Sequence, residues 1–226
     1  MHTFNDHVGI DDLRYEGTAQ KHYATIERQV SDPNTVLGAL MSQGRTVDFP
    51  PPPSNSSSET IIDLNLVVDR QATATLQDRD YAVRMDDLRQ HYEMWNTEVK
   101  QITGTEYGYD FFWSLATKGD GFLQTLKIKF RRLRPYQLAR HHNKRVEMLI
   151  KEPGTGSYPS GHAFDAWLFA FVLSTKHPKH SEEFAAIAKR VCDSRMVAGV
   201  HFPHDLRMGK VAALMAIHIM QGSGIL

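Results

Sequence analysis

The sequence predicts an all-α fold, a helical bundle, and three observations carry that expectation. After residue 58, apolar residues recur at spacings of three and four over most of the chain, the signature of helices with one buried face. Strand-like alternation is scarce. The breaks between periodic stretches hold Gly, Pro and Ser, which start, stop or interrupt helices.

Taken in order, residues 1–48 contain two short helix-like pieces, 18–30 and 34–41. Four prolines at 50–53 and the serine-rich run 54–58 follow. They favour an extended polyproline segment and then a loop. This punctuation divides the chain into an N-terminal arm, 1–48, and a helical domain, 49–226. Tyr81, Met85, Leu88, Tyr92, Trp95, Val99 and Ile102 form one stripe, read as the buried face of a single long helix ended by the glycines at 104 and 108. Residues 111–116 read as a short core helix, and 121–130 as a stretch leading into the first polar motif.

Ser157 and Ser160 are candidate helix caps. Beyond them Phe164, Trp167, Leu168, Phe171 and Val172 share one helical face, with His162 in the first turn. Ser181 with Glu182 and Glu183 resembles another helix start, acids being favoured at the positive end of the helix dipole. Ile187, Val191, Ser194, Arg195 and Ala198 continue along one side of it. Pro203 ends that element or forms a turn, and Asp205 starts a last helix running to about Met220.

Composition excludes several classes of function. The 226 residues hold 26 Lys plus Arg against 26 Asp plus Glu. A chain without net charge has no bulk attraction for nucleic acid or an anionic membrane, so any positive field is local. The single cysteine, Cys192, cannot form an internal disulfide and reads as a small core hydrophobe. The longest apolar run, 163–173, is interrupted by Asp165. It is far short of the roughly 20 residues an integral membrane segment needs. The opening residues carry acids and no apolar run, so no secretory signal is visible. The expected compartment is the cytoplasm, or the periplasm if a signal preceded residue 1.

Three short stretches fit together as one phosphate-handling site: Lys127 with Arg134-Pro135, then Pro159-Ser160-Gly161-His162, then Ser194-Arg195 with His201 and Asp205. A phosphoryl transition state spreads negative charge over its equatorial oxygens, and fixed cations and N–H groups stabilise it. Lys127, Arg134 and Arg195 can supply the cations. A Ser160-Gly161 turn at a helix start can aim N–H groups at the same oxygens. One histidine must attack phosphorus as neutral imidazole, and the other must protonate the leaving oxygen. Asp205, four residues after His201, can hold one ring nitrogen and leave the other free to attack. That makes His201 the better nucleophile and His162 the better general acid.

Each piece alone has an ordinary structural reading; the ordered set makes the joint ordinary reading improbable. Lys129, Arg131 and Arg132 read as surface charges. His141, His142, His177 and His180 receive no chemistry. His204 touches a leaving group or solvent, and Asp165 tunes the site or faces solvent. His201, His204 and Asp205 could ligate a metal. However, there is no HExxH or cysteine cluster, and three cations disfavour a dication, so no metal and no cofactor are expected.

These motifs resemble the type 2 phosphatidic acid phosphatase superfamily, also called the acid phosphatase/vanadium haloperoxidase superfamily. Its pattern, KxxxxxxRP, PSGH and SRxxxxxHxxxD, is matched at every fixed position. Residues 156–162, GSYPSGH, and the proline run before the helical body are similar to the soluble bacterial class A nonspecific acid phosphatases. The resemblance implies an all-helical core and a metal-independent phosphohistidine mechanism. It also implies the roles reached above, with Lys127, Arg134, Ser160, Gly161 and Arg195 around phosphate. The expected activity is a phosphomonoesterase acting on a small-molecule phosphate ester. The alternatives are a vanadium-dependent haloperoxidase, in which His201 would ligate vanadate, or a non-catalytic phosphate-binding protein with a relict site. The arm at 1–48 either packs on the body or helps to build a homo-oligomer.

Overall fold

A computed structural model describes residues 9–17 and 20–226. Its elements are α1 (Gln20–Val30), α2 (Val36–Ser42), α3 (Ser58–Thr73), α4 (Leu76–Arg84), α5 (Leu88–Thr103), α6 (Tyr109–Phe130), α7 (Pro135–Leu138), α8 (Gly161–Lys176), α9 (Ser181–Val197) and α10 (Pro203–Gly222), with short 3-10 turns between. No strand occurs among the described residues, as the sequence predicts. No helix among them is long and apolar enough to cross a membrane. Of the helix expected over 18–30, residues 18 and 19 lie outside the described residues. So do residues 1–8, on which the expectation of no signal partly rests.

α8 is the centre of the molecule. Every residue from Ala163 to Ala170 is buried, so this helix is covered on all sides rather than on one face, with Asp165 the one ionisable side chain in that stretch. It lies against α9 and α10 along most of its length and against α6 on another side. Ser160 starts it, its Oγ accepting from the Ala163 N–H at 3.4 Å. The other candidate cap, Ser157, does not cap: its Oγ donates to the Leu133 carbonyl at 2.9 Å and pins the loop before α8 instead.

α6 joins what the sequence suggests are two pieces. It runs 22 residues through Gly119 and Gly121, because tertiary packing outweighs the roughly 1 kcal/mol helix cost of each glycine. Both glycines admit neighbours. A Cβ on Gly119 would meet the Phe164 ring at 2.4 Å, and one on Gly121 would meet Gln29. Gln29 of α1 bridges an i, i+4 pair of α6, donating to the Thr117 carbonyl (2.6 Å) and accepting from the Gly121 N–H (2.8 Å). α2 packs on α6 and α10, and Val36, Leu37, Ala39 and Leu40 belong to the main core.

The single long helix expected over the stripe 81–102 is two helices. The chain breaks at Met85–Asp87, because the Asp87 carboxylate accepts from the Gln90 N–H at 3.0 Å and caps a new helix start. The stripe stays largely buried across the break, except Leu88, which is exposed. At the other end, Pro203 begins α10 rather than preceding it. Its missing N–H costs nothing in the first helical turn.

Candidate active site

The site forms where the end of α6, the end of α9 and the starts of α8 and α10 converge. Arg131, in the left-handed region at φ 47°, stops α6 one turn after Lys127. The buried Lys127 Nζ donates to the Gly156 carbonyl at 3.1 Å. Arg134, just before α7, folds back to the same place. Its Nε and Nη2 donate to the Thr155 carbonyl (3.0 and 2.8 Å), and Nη2 reaches Gly156 O at 3.3 Å. Its Nη1 donates to the Val200 carbonyl at 2.9 Å and lies 3.4 Å from His201 Nε2. Lys127 and Arg134 therefore share one carbonyl, and their bonds to neutral groups leave both charges uncompensated locally.

Arg195 comes from α9 and is fully buried. Its Nε donates to Ser194 Oγ (3.1 Å), Nη2 to the Ala82 carbonyl, and Nη1 stands 3.3 Å from Asp86 Oδ1. Ala82 lies in the last turn of α4, where carbonyls lack helical partners. The break after α4 is thus what offers Arg195 an acceptor. The starts of α8 and α10 are tied together, the Ser160 N–H donating to the Asp205 carbonyl at 3.1 Å.

His201 sits in the loop before α10 and is buried. Nδ1 faces Asp205 Oδ2 at 3.5 Å but lacks the alignment of a hydrogen bond. Asp205 is completely buried. Its Oδ1 accepts from Arg132 Nη1 at 2.7 Å and its Oδ2 from the Phe202 N–H at 2.9 Å. Although burial opposes ionisation, the Arg132 guanidinium and these bonds hold the Asp205 carboxyl well below the usual range. It is therefore a fixed anion behind His201.

Burial is the first cause of every other shift here. It brings His201 down to about 3, with Asp205 opposing and the cations assisting. It brings Lys127 down to about 7, assisted by Arg134, and Arg195 down to about 10. His162 falls well below its ordinary value through burial and then through Arg195, His91, His201 and Lys127. Both histidines and the cations thus form one electrostatic cluster. Lys127, Arg132, Arg134 and Arg195 outnumber the carboxylates Asp86 and Asp205 around them, and buried positive charge in excess of its counter-ions is costly, so an anion entering the cluster would relieve it. Gly161 opens α8 beside Lys127, and a Cβ there would stand 3.4 Å from Leu123 and 3.9 Å from Lys127 Cε.

The structure brings Lys127, Arg134, Ser160, Gly161, His162, Arg195, His201 and Asp205 to one locality. Four neighbours differ from the sequence reading. Arg132, expected on the surface, is buried because the chain leaves α6 at Arg131 and turns it inward onto Asp205, Thr60 (3.1 Å) and the Phe202 ring (4.3 Å). Lys129 and Arg131 are exposed as expected. Asp165 does not face solvent: it is buried and accepts from Tyr92 OH at 3.0 Å. His204 is half-buried, its Nδ1 2.9 Å from Glu59, beside the site rather than in it. His91 belongs to none of the sequence motifs. It is fully buried, accepts from Trp95 Nε1 at 3.1 Å and stacks on His162 with centroids 5.5 Å apart. Its place on the stripe, three residues after Leu88 and four before Trp95, is the signal that would have found it. Among the described residues, no group of three or more His, Cys, Asp and Glu is placed to hold a metal.

The chain is similar to several known proteins. Over 102 residues the chain is 31% identical to a non-specific acid phosphatase of Providencia stuartii, covering 44% of this chain and 40% of that protein. Over 99 residues it is 34% identical to the non-specific acid phosphatase of Salmonella typhimurium, covering 43% and 39%. These alignments span about two-fifths of the curated relatives. In fold, the chain is similar to a crystal structure of a bacterial vanadium-dependent iodoperoxidase (TM-score 0.56, 15% identity, 76% of this chain and 52% of that one). Residues 109–223, which hold every residue of the cluster described above, match the model of the PAP2 superfamily, and the chain belongs to that superfamily.

Proposed function

We propose that this protein is a metal-independent phosphomonoesterase that acts through a phosphohistidine intermediate. One observation carries the reading: His201 turns Nε2 toward the Arg134 guanidinium at 3.4 Å and Nδ1 toward the fixed Asp205 carboxylate at 3.5 Å. A neutral imidazole oriented this way keeps its Nδ1 proton toward Asp205 and presents the Nε2 lone pair where the cations would hold a phosphoryl group. The names of the relatives, non-specific acid phosphatases, support the same activity class.

In the first step Nε2 attacks phosphorus, the P–N bond forms and the ester P–O bond breaks. Protonated His162 gives its proton to the leaving oxygen. Burial and the neighbouring cations disfavour the proton on His162, and the negative ester that enters the cluster is what favours its protonation. Lys127, Arg134 and Arg195, with N–H groups at the start of α8, stabilise the equatorial oxygens. In the second step His162 takes a proton from water, the hydroxide attacks phosphorus, and the P–N bond breaks to release phosphate and neutral His201. Asp205 stabilises the charged imidazole between the steps. Positive charge already fixed in the site disfavours a dication, which is the physical basis for metal independence.

The test is hydrolysis of p-nitrophenyl phosphate with EDTA present, for wild type and His201→Ala, with alkaline quenching of enzyme exposed to 32P-labelled ester. The expected result is chelator-insensitive turnover and alkali-stable label in wild type, and neither in His201→Ala. Turnover that EDTA abolishes and a metal restores would overturn metal independence. Turnover retained in His201→Ala would overturn the nucleophile.

A further inference from the structure

A cavity of about 210 Å³ opens in front of His162, and its two ends differ in chemistry. Lys127, Gly161 and His162 line the phosphate end. The rest is built by two helical ladders. Asp120 and Gln124 precede Lys127 on one face of α6, at helical spacings of four and three, and Asp165 lies one turn after His162 on α8. At 1.5 Å per residue, Asp120 stands ~10 Å along the helix from Lys127.

These polar groups present acceptors. Gln124 is only 8% exposed, its Nε2 donates to Asp120 Oδ1 at 2.8 Å, and its Oε1 has no hydrogen-bond partner. Asp165 is 9% exposed, and among the described residues its Oδ2 accepts from the Tyr92 hydroxyl. A buried acceptor left unpaired is costly, which indicates that something else supplies the donors. Burial first, and then Asp120, push Asp165 up to about 8, so the two carboxyls lie within electrostatic reach of each other. The nearby Arg89 lies over the Tyr109 ring but is paired with Glu93 at 2.9 Å and does not neutralise them. Tyr92 and Trp113 add aromatic walls, which favour a cation.

Building on the phosphatase reading above, we propose that this cavity receives the leaving group and selects phosphate monoesters whose leaving group ends in an ammonium group, against those ending in an anion. An ammonium offers three donors to the Gln124 amide oxygen and the carboxyl oxygens, and Asp120 matches its charge; Asp165, pushed up to about 8, is largely protonated in mildly acidic solution and contributes as a neutral acceptor. A carboxylate-bearing leaving group would instead meet the Asp120 carboxyl and the unpartnered Gln124 oxygen, neither of which offers it a donor.

The test compares kcat/KM of the full chain for 4-aminobutyl, 4-hydroxybutyl and 3-carboxypropyl phosphates, with p-nitrophenyl phosphate as reference. The four-carbon chain keeps the end group from altering leaving-group chemistry. The expected order is ammonium, then hydroxyl, then carboxylate, with roughly tenfold or more between first and last. Asp120→Asn should narrow that ratio and Asp120→Glu should keep most of it; slowing of all esters alike would mean a structural role and overturn the assignment. If the variants fail to fold, inhibition of wild type serves: n-butylammonium should compete with p-nitrophenyl phosphate and butanol should not. Turnover of p-nitrophenyl phosphate with a flat or reversed order overturns the selectivity alone. A wild type inert toward every ester overturns the phosphatase reading, and the selectivity with it.

Discussion

A lysine whose ammonium is buried beside the Arg134 guanidinium gives up its proton more easily than one in water, and Lys127 is brought down to about 7. Lysine is charged below its pKa, so the cation set is complete in acid and loses a member as pH rises through 7. His201, brought down to about 3, stays neutral and nucleophilic over the whole acid range above that value. The proposed reaction is therefore suited to mildly acidic solution on both counts. Because kcat/KM reports the free enzyme, wild type should lose roughly tenfold between pH 6 and 8 from this group. A guanidinium keeps its charge, so Lys127→Arg should flatten that limb relative to wild type on the same ester. Superimposable alkaline limbs would show that Lys127 does not set it. Residues of this kind were legible in the sequence because their spacings are fixed relative to each other. Arg132, Asp86 and His91 were not. Arg132 turns inward only because α6 stops at Arg131, and Asp86 reaches Arg195 only across 109 residues of chain.

Between residue and fold stand the helix ends, which do much of the positioning. The stripe from Tyr81 to Ile102 keeps its phase across the break at 85–87, so periodicity alone could not reveal that α4 stops there. The Asp87 cap was the missed signal, and its consequence is chemical, since the freed Ala82 carbonyl receives Arg195. α8 was legible in its start at Ser160, while its burial on all sides depends on α6 approaching it closely. That approach goes through Gly119, whose missing Cβ leaves room for the fully buried Phe164 ring. Gly119→Ala should cost about 1–3 kcal/mol despite alanine's better helix propensity, because the ring has no free space to move into. Phe164→Leu should lose stability alone, yet recover part of the loss in the Gly119→Ala background. Denaturant unfolding of the four proteins gives the coupling energy directly. Strict additivity would mean that the two positions do not press on each other.

At the scale of the whole molecule, the zero net charge conceals a buried positive cluster, and the punctuation at the prolines conceals continuity of the core. The sequence divides the chain at residue 48, just before the prolines at 50–53. In space, Val36, Leu37, Ala39 and Leu40 lie in the same core as α6, α8 and α10. Phe49 is buried against Phe130 and Tyr158, with centroids 6.4 and 5.9 Å away. Composition leaves this open, because short apolar pieces before a loop read alike whether they cover a neighbour or stand apart. Burying side chains such as Val36, Leu37 and Leu40 is worth about 1.5–3 kcal/mol each, and Gln29 adds its two bonds to α6. Against a net domain stability of about 5–15 kcal/mol, deleting residues 1–48 should leave 49–226 unable to fold cooperatively. The expected result is loss of the sharp thermal transition and exposure of apolar surface to a dye such as ANS. If the truncated chain instead melts at the full-length temperature with the same steepness, residues 1–48 are an arm with no share in the fold's stability.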